Sequence, residues 1–397
     1  MQIACVGKPS SGKSTFFSAA TLVDVEIANR PFTTIKPNQG TGYVTTKCVH
    51  EEKGKPCQPM NSKCENGIRL IPIQMLDVAG LIEDSWKGRG LGNSFLNDLM
   101  QAQALIHVLD VSGTTDAEGN TVTAGSYNPV NDVEFLEREV AYWIKQILEK
   151  NWGKISKSIS ISGEIVSGLA TQLSGLGIKE RDIKKVLSEI ELKSKKPSEW
   201  DEEEMLQFSS AIREKSKPMV IAANKCDMQS AAENLDKLKS EFSEKRIFPT
   251  SAESELSLRR ADKAGIIKYI PGGKEFEILK ECEEKQKKAL EFIQKNVLDV
   301  FGSTGVQQVI NKTAFDLLDL VVVYPVQDQS KWVSGKGHYL PDAFLVKKGT
   351  TPKELAGIIH TDFANRYLGA INCRTNQKIS ESYEIQNNDV IKILLRN

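Results

Sequence analysis

The run Gly7-Lys8-Pro9-Ser10-Ser11-Gly12-Lys13-Ser14-Thr15 has the residue types, in the spacing Gly-x-x-x-x-Gly-Lys-Ser, that grip a polyphosphate. Backbone N–H groups of such a loop wrap phosphate oxygens, Lys13 neutralises the β and γ oxygens, and the Ser14 hydroxyl ligates magnesium. Glycine at 7 and 12 takes dihedrals that a Cβ would forbid and lets the chain approach the phosphates. Further residues fit the same chemistry. Thr34, or its neighbour Thr33, sits in a proline-punctuated stretch, 31–38, and offers a hydroxyl that binds the metal only while a γ-phosphate is present. Asp77-Val78-Ala79-Gly80 combines a carboxylate that can hold magnesium through water with a glycine N–H for the γ-phosphate. In Asn224-Lys225-Cys226-Asp227 the carboxylate can accept two hydrogen bonds from the N1 and N2 donors of guanine, a pattern adenine does not present. Ser251-Ala252-Glu253, further on, can supply a backbone N–H to the guanine oxygen.

Cys48, Cys57 and Cys64, with His50 among them, form a second chemical cluster. Thiolates and imidazole suit tetrahedral zinc, yet eight and six residues separate the cysteines, where structural zinc pairs usually read Cys-x₂₋₄-Cys. The spacing therefore favours reduced cysteines in a loop over zinc.

The elements that must position these residues follow from hydrophobic patterning. Apolar runs at Ile3–Val6, Arg69–Leu76, Ala104–Asp110 and Pro218–Ala223 read as strands, each leading into a motif or a polar loop. His107, inside the third run, reads as a core histidine rather than a catalytic one. From 131 to 215 the period becomes helical, with Ser198-x-x-Asp201 as a helix start, and this span reads as a helical insertion. Residues 276–301 carry a long amphipathic pattern. The final section, 320–397, has strands at Leu320–Tyr324, Ala343–Val346 and Val390–Leu394. They surround a helix that opens with the capping box Thr351-Pro352-Lys353-Glu354 and runs to about Tyr367. The expected fold class is α/β: a mainly parallel sheet (1–130 and 216–319), a helical insertion (131–215) and a C-terminal domain (320–397).

Length and composition agree. The 397 residues call for two or three domains, and 52 Lys+Arg against 52 Asp+Glu leave no net charge. Nucleic acid is thus not held by the molecule's overall field, and any RNA contact is local. The chain opens on a core strand, lacks an apolar run long enough to span a bilayer, and carries seven scattered cysteines. A cytoplasmic protein with reduced thiols is expected, monomeric, with neither membrane nor DNA as partner.

The motif order, with Pro31-Phe32-Thr33-Thr34-Ile35-Lys36-Pro37-Asn38, Asp77-Val78-Ala79-Gly80-Leu81 and Gly88-Arg89-Gly90-Leu91-Gly92-Asn93-Ser94-Phe95-Leu96, resembles the Obg/YchF-like GTPases. Gly349-Thr350-Thr351-Pro352, Ile359-His360-Thr361-Asp362 and Asn388-Asp389-Val390 resemble a TGS domain, a β-grasp module. The resemblance implies a GTP hydrolase that switches on ribosomes or translation factors, contacting them through the TGS-like and helical parts. It implies Lys13 on the phosphates, Ser14 and Thr34 on magnesium, Asp77 behind them, and Asn224 and Asp227 on the base of GTP or GDP. Three departures shape the expectation. Asn224-Lys225-Cys226-Asp227 keeps the guanine form that YchF proper has altered, so GTP is expected. Ser10 stands where many relatives carry an asparagine that helps hold potassium, which leaves potassium stimulation open. Leu81 replaces the water-aligning glutamine of Ras-like switches, and the loops 87–96 and 112–130 hold no histidine, so slow intrinsic hydrolysis is expected with no catalytic residue assigned. The alternatives are an RNA- or ribosome-binding module with a structural nucleotide, and an ATPase.

Overall fold

A computed structural model describes residues 1–22, 38–87, 98–162, 164–192 and 199–396. Thr33, Thr34 and the glycine-rich run 88–97 lie outside the described residues, as does Ser198. The chain divides into two compact units, one of residues 1–41 and 74–309, the other of residues 42–73 and 310–397.

In the first unit β1 (Gln2–Val6) lies between the end of β4 (Ile68–Asp77) and β5 (Ala104–Asp110), parallel to both, with Ile3 opposite Met75 and Ala104. Beyond β5 come β6 (Met219–Asn224) and β7 (Ile247–Thr250), also parallel. Every residue of β5 is buried, as are four of five in β1, the near-continuous apolar reading of strands covered on both faces. Because β1 has neighbours that follow it in the chain on both sides, the loop leaving its carboxyl end sits where the strand order reverses. That is the usual crevice for ligands in open α/β sheets.

The helical insertion is led by α2 (Val130–Ser162), after α1 (Lys13–Thr21). Val133, Leu136, Val140, Ile144, Leu148 and Ile155 recur at helical spacing on α2 and are buried. From Leu136 onward they form one core with Leu105 of β5 and with Phe208 and Ile212 of the helix Glu202–Ser216, whereas Val133 packs with Leu109 and Ile221 on another. That helix starts three residues beyond the expected cap. Asp201 Oδ1 accepts from Glu204 N (2.8 Å) and Glu204 Oε2 from Asp201 N (3.0 Å), the stronger reciprocal box. The long pattern from residue 276 also resolves differently. Glu277–Ile278 pairs with Ile267–Lys268 as a short hairpin, and the helix begins only at Glu284.

In the second unit a five-stranded sheet has the order Phe344–Lys347, Leu320–Val326, Asp389–Leu395, Tyr367–Asn372 and Gln377–Ile379. Leu320–Val326 is parallel to Asp389–Leu395 and the other pairings are antiparallel. The Thr351 box is formed, but the helix it starts ends at Ile359. His360, in extended conformation, separates it from a short helix, Thr361–Asn365, so a single helix to Tyr367 is not what the chain adopts. Most of β2 (Asn38–Lys47) and all of β3 (Lys63–Glu65) also belong to this unit, and both pair with β4. Cys48, Val49 and Ile71 share a core with Val322, Tyr324, Trp332, Tyr339 and Val390.

Candidate functional site

The phosphate-loop residues sit at the end of β1, on the turn into α1. Gly12 caps α1 in the left-handed region (φ 88°), and Ser10 is also left-handed (φ 60°). Alternation of this kind turns successive N–H groups toward one concavity and makes an anion cradle. A Cβ on Gly12 would lie 2.1 Å from Asn224 Nδ2, so only glycine fits there. Pro9 lies between two loops: a Cβ on Gly80 would come within 3.0 Å of Pro9 N, and one on Gly119 within 2.7 Å of Pro9 O. Thr15 lies in the first turn of α1, partly buried.

Asp77, at the carboxyl end of β4, joins this loop directly. Its Oδ1 accepts from Lys13 Nζ at 3.0 Å and its Oδ2 from Ser14 Oγ at 2.8 Å, with Lys13 and Asp77 both buried. The strand ends as a brace: Val78 N donates to Cys5 O (3.3 Å) and Leu81 N to Gly7 O (3.1 Å). Leu81 is fully buried in the core, so its side chain is unavailable to a nucleophilic water.

Asn224, at the end of β6, links three motifs with one amide. Its Nδ2 donates to Ser11 O (3.0 Å) and its Oδ1 accepts from Ala252 N (3.0 Å), all within the buried interior. Ser251 N is likewise taken, by Thr304 O at 2.9 Å. Of the expected triplet, Glu253 alone has a backbone N–H without a partner among the described residues. Lys225 is left-handed (φ 64°) and directs its Nζ to Asp110 Oδ2 at 2.8 Å. Asp227 is half-buried, and its carboxylate accepts no hydrogen bond from a described residue.

Sequence reasoning missed two supporting residues. Lys8 is buried and pairs with Asp132 Oδ2 (2.9 Å), donates to Thr115 O (2.8 Å) and lies 3.7 Å over the Tyr127 ring. Asp110, at the end of β5, accepts from Ser112 Oγ, Thr114 Oγ1, Thr115 Oγ1 and Lys225 Nζ; burial pushes its carboxyl up, but hydrogen bonds from Lys225, Ser112 and Thr114 together with the Lys225 charge hold it below the usual carboxylate range. Both shape the loop 112–127 beside the phosphate loop. The only signal for them was position, one inside the glycine motif and the other at a strand end. His107 is buried and fully desolvated, which drives its imidazole down to about 3, with Lys8 adding to the effect. It belongs to the core, as its apolar surroundings in sequence indicated.

Comparison with known proteins follows the same geometry. Residues 2–147 match the family described as 50S ribosome-binding GTPase, residues 222–328 the Obg-like GTPase YGR210-like, G4 motif-containing domain, and residues 336–395 the TGS domain. A GTP-binding protein of Methanocaldococcus jannaschii is 48% identical over 99% of this chain and 98% of its own length. This chain belongs to the Obg/YchF-like family of P-loop GTPases. A crystal structure of a GTP-binding protein from Pyrococcus horikoshii OT3 is similar throughout, with TM-score 0.80, 42% identity and full coverage of both chains. A more distant Obg/YchF-like relative, from Bacillus subtilis, is named ribosome-binding ATPase YchF; it is 28% identical over 92% of this chain and 86% of that protein. Among the described residues no helix is long and apolar enough to cross a membrane.

Proposed function

We propose that this chain binds GTP with magnesium, hydrolyses it slowly, and works as a nucleotide-dependent switch on the ribosome or a translation factor. The observation that carries the reading is the Asn224 amide, which fastens the base-choosing motif to the phosphate loop through Ser11 O and to the 251–253 turn through Ala252 N. The second N–H of that amide and the Asp227 carboxylate remain for a purine. A carboxylate there rewards guanine's two donors and leaves adenine's edge unpaired.

The donors at the other end suit magnesium. Ser14 Oγ and an Asp77 oxygen are hard ligands 2.8 Å apart, and magnesium takes few protein oxygens and keeps its waters. Held by Ser14 and Asp77, the ion would neutralise charge on the nucleotide phosphates. Lys13 would exchange Asp77 for phosphate oxygens, and the change at Asp77 would pass into residues 78–87. Buried Leu81 cannot polarise water, which supports turnover near the ~10⁻⁴ s⁻¹ of unassisted switches, accelerated by a partner. The ribosome enters because the Bacillus subtilis relative's name says that protein binds it.

Co-sedimentation with ribosomal subunits in the presence of GDP, a non-hydrolysable GTP analogue or an ATP analogue tests the switch. Retention that follows the GTP analogue supports it. Equal retention in all states would favour an RNA-binding module whose nucleotide is structural, and retention with the ATP analogue alone would favour an ATPase.

A further inference from the structure

Four donor side chains in the second unit converge without serving the nucleotide site. Cys48 follows β2, His50 lies in the 3₁₀ turn Val49–Lys53, Cys57 in the loop beyond it and Cys64 on β3. Their ligand atoms all lie within 4.8 Å of one another. Cys48 Sγ is 3.9 Å from Cys57 Sγ, and His50 Nδ1 is 3.3 Å from Cys57 Sγ and 3.5 Å from Cys64 Sγ. A tetrahedral zinc with its ordinary bond lengths has S···S edges of about 3.8 Å and S···N edges of about 3.5 Å. The side chains are thus spaced as the corners of such a site. All seven cysteines are unbridged.

We infer that Cys48, His50, Cys57 and Cys64 form a structural Cys₃His zinc site that pins the 48–65 segment onto the C-terminal sheet's core. The local spacing rule pointed the other way because it presumes two knuckles, whereas here each ligand comes from a different piece of chain and the antiparallel pairing of Cys64 with Arg69 brings them together.

Charge supports the assignment. Three thiolates on a dication leave one net negative charge, and the Arg69 Nη1 donates toward Cys57 Sγ at 3.3 Å. Arg69 is completely buried, its Nη2 bonds only the Leu340 and Pro341 carbonyls (2.8 and 3.1 Å), and among the described residues no carboxylate makes a salt bridge with it, Asp342 attracting it only from beyond that range. The zinc-thiolate centre would supply the counter-charge that a buried guanidinium requires. On binding, three thiol protons pass to solvent and His50 coordinates as neutral imidazole through Nδ1 with its proton on Nε2.

The segment also has a reason to be stapled. Residues 54–62 hold no regular element and are tied by Gln58 N to Tyr339 O, Met60 N to Pro341 O, and Asn61 to both polar atoms of Ala343. A metal centre fixes such a segment at four points for little apolar burial.

The full-length protein, purified without chelator, should carry about one zinc per chain by elemental analysis. After reduction and metal removal it should take up one cobalt with an intense thiolate charge-transfer band. Cys64→Ser should weaken zinc in chelator competition by at least ~10-fold, while Cys282→Ser should leave it unchanged. Iron in place of zinc, absence of both zinc and the cobalt thiolate band, or equal zinc affinity in C64S and wild type would each overturn the assignment. The cobalt spectrum of the unmutated chain keeps the test decisive if C64S fails to fold.

Discussion

Removing the Asn224 amide leaves a buried carbonyl at Ser11 and a buried N–H at Ala252 without partners. Each such loss costs ~1–3 kcal/mol. Asn224→Ala should therefore lower the denaturation midpoint as well as nucleotide affinity, and calorimetry with and without GDP separates the two effects. His107 makes a second single-residue prediction. Its folded imidazole titrates near 3 because burial penalises the cation, against about 6.5 when unfolded. Above pH 6.5 both states are neutral. As the pH falls from there toward 3 the unfolded chain takes up a proton that the folded chain refuses, so stability drops by about 1 kcal/mol per pH unit. Urea midpoints between pH 7 and 5 should fall less steeply in His107→Gln than in the parent. At this scale the motif residues were readable because phosphate and base chemistry demand fixed types at fixed spacings. Lys8, Asp110 and the unequal use of the Ser251, Ala252 and Glu253 N–H groups were not, since they depend on which loops meet.

Among the elements, α2 reaches the loop that follows Asp77. Glu139 on α2 accepts from Asp84 N (3.0 Å) and Trp86 N (3.1 Å), and Trp86 stacks on Tyr142 with ring centroids 5.0 Å apart. The helical insertion thereby holds residues 84–86, downstream of the carboxylate that the proposed magnesium would engage. Glu139→Ala should speed hydrogen exchange at the Asp84 and Trp86 amides by ~10-fold or more, and unchanged protection there would refute the anchoring role. Thr351→Ala should cost ~1 kcal/mol through the lost cap, visible as a lower melting temperature. The central strands of the first unit came through in the sequence because buried parallel strands are unbroken apolar runs. Helix ends did not. The helix Glu202–Ser216 is capped by Asp201 with its reciprocal partner Glu204, and the extended backbone at His360 interrupts a pattern that remains amphipathic on both sides.

At the level of the whole molecule, residues 42–73 belong by packing with residues 310–397, although β4 carries the chain from one unit to the other. Nothing in a linear reading links Cys48, Val49 and Ile71 to Val322, Trp332 and Tyr339 some 270 residues later. A fragment ending at 309 would expose that shared core, so it should aggregate or bind a hydrophobic dye where the intact chain does not. A soluble 1–309 fragment with protected amides in 68–73 would contradict this packing. The four zinc ligands were visible as residues but not as a site for the same reason. Their proximity is a property of the tertiary fold.

Which purine the Asn224–Asp227 motif selects decides what the chain does. Equilibrium titration of the magnesium-loaded chain with GTP, ATP and xanthosine triphosphate, for the parent and for Asp227→Asn, tests it most directly. The parent should bind GTP at least ~10²-fold more tightly than ATP, and Asp227→Asn should exchange that preference for xanthosine triphosphate, whose C2 carbonyl pairs with an amide donor. Tighter binding of ATP by the parent, or an Asp227→Asn variant that keeps its GTP preference, would contradict it.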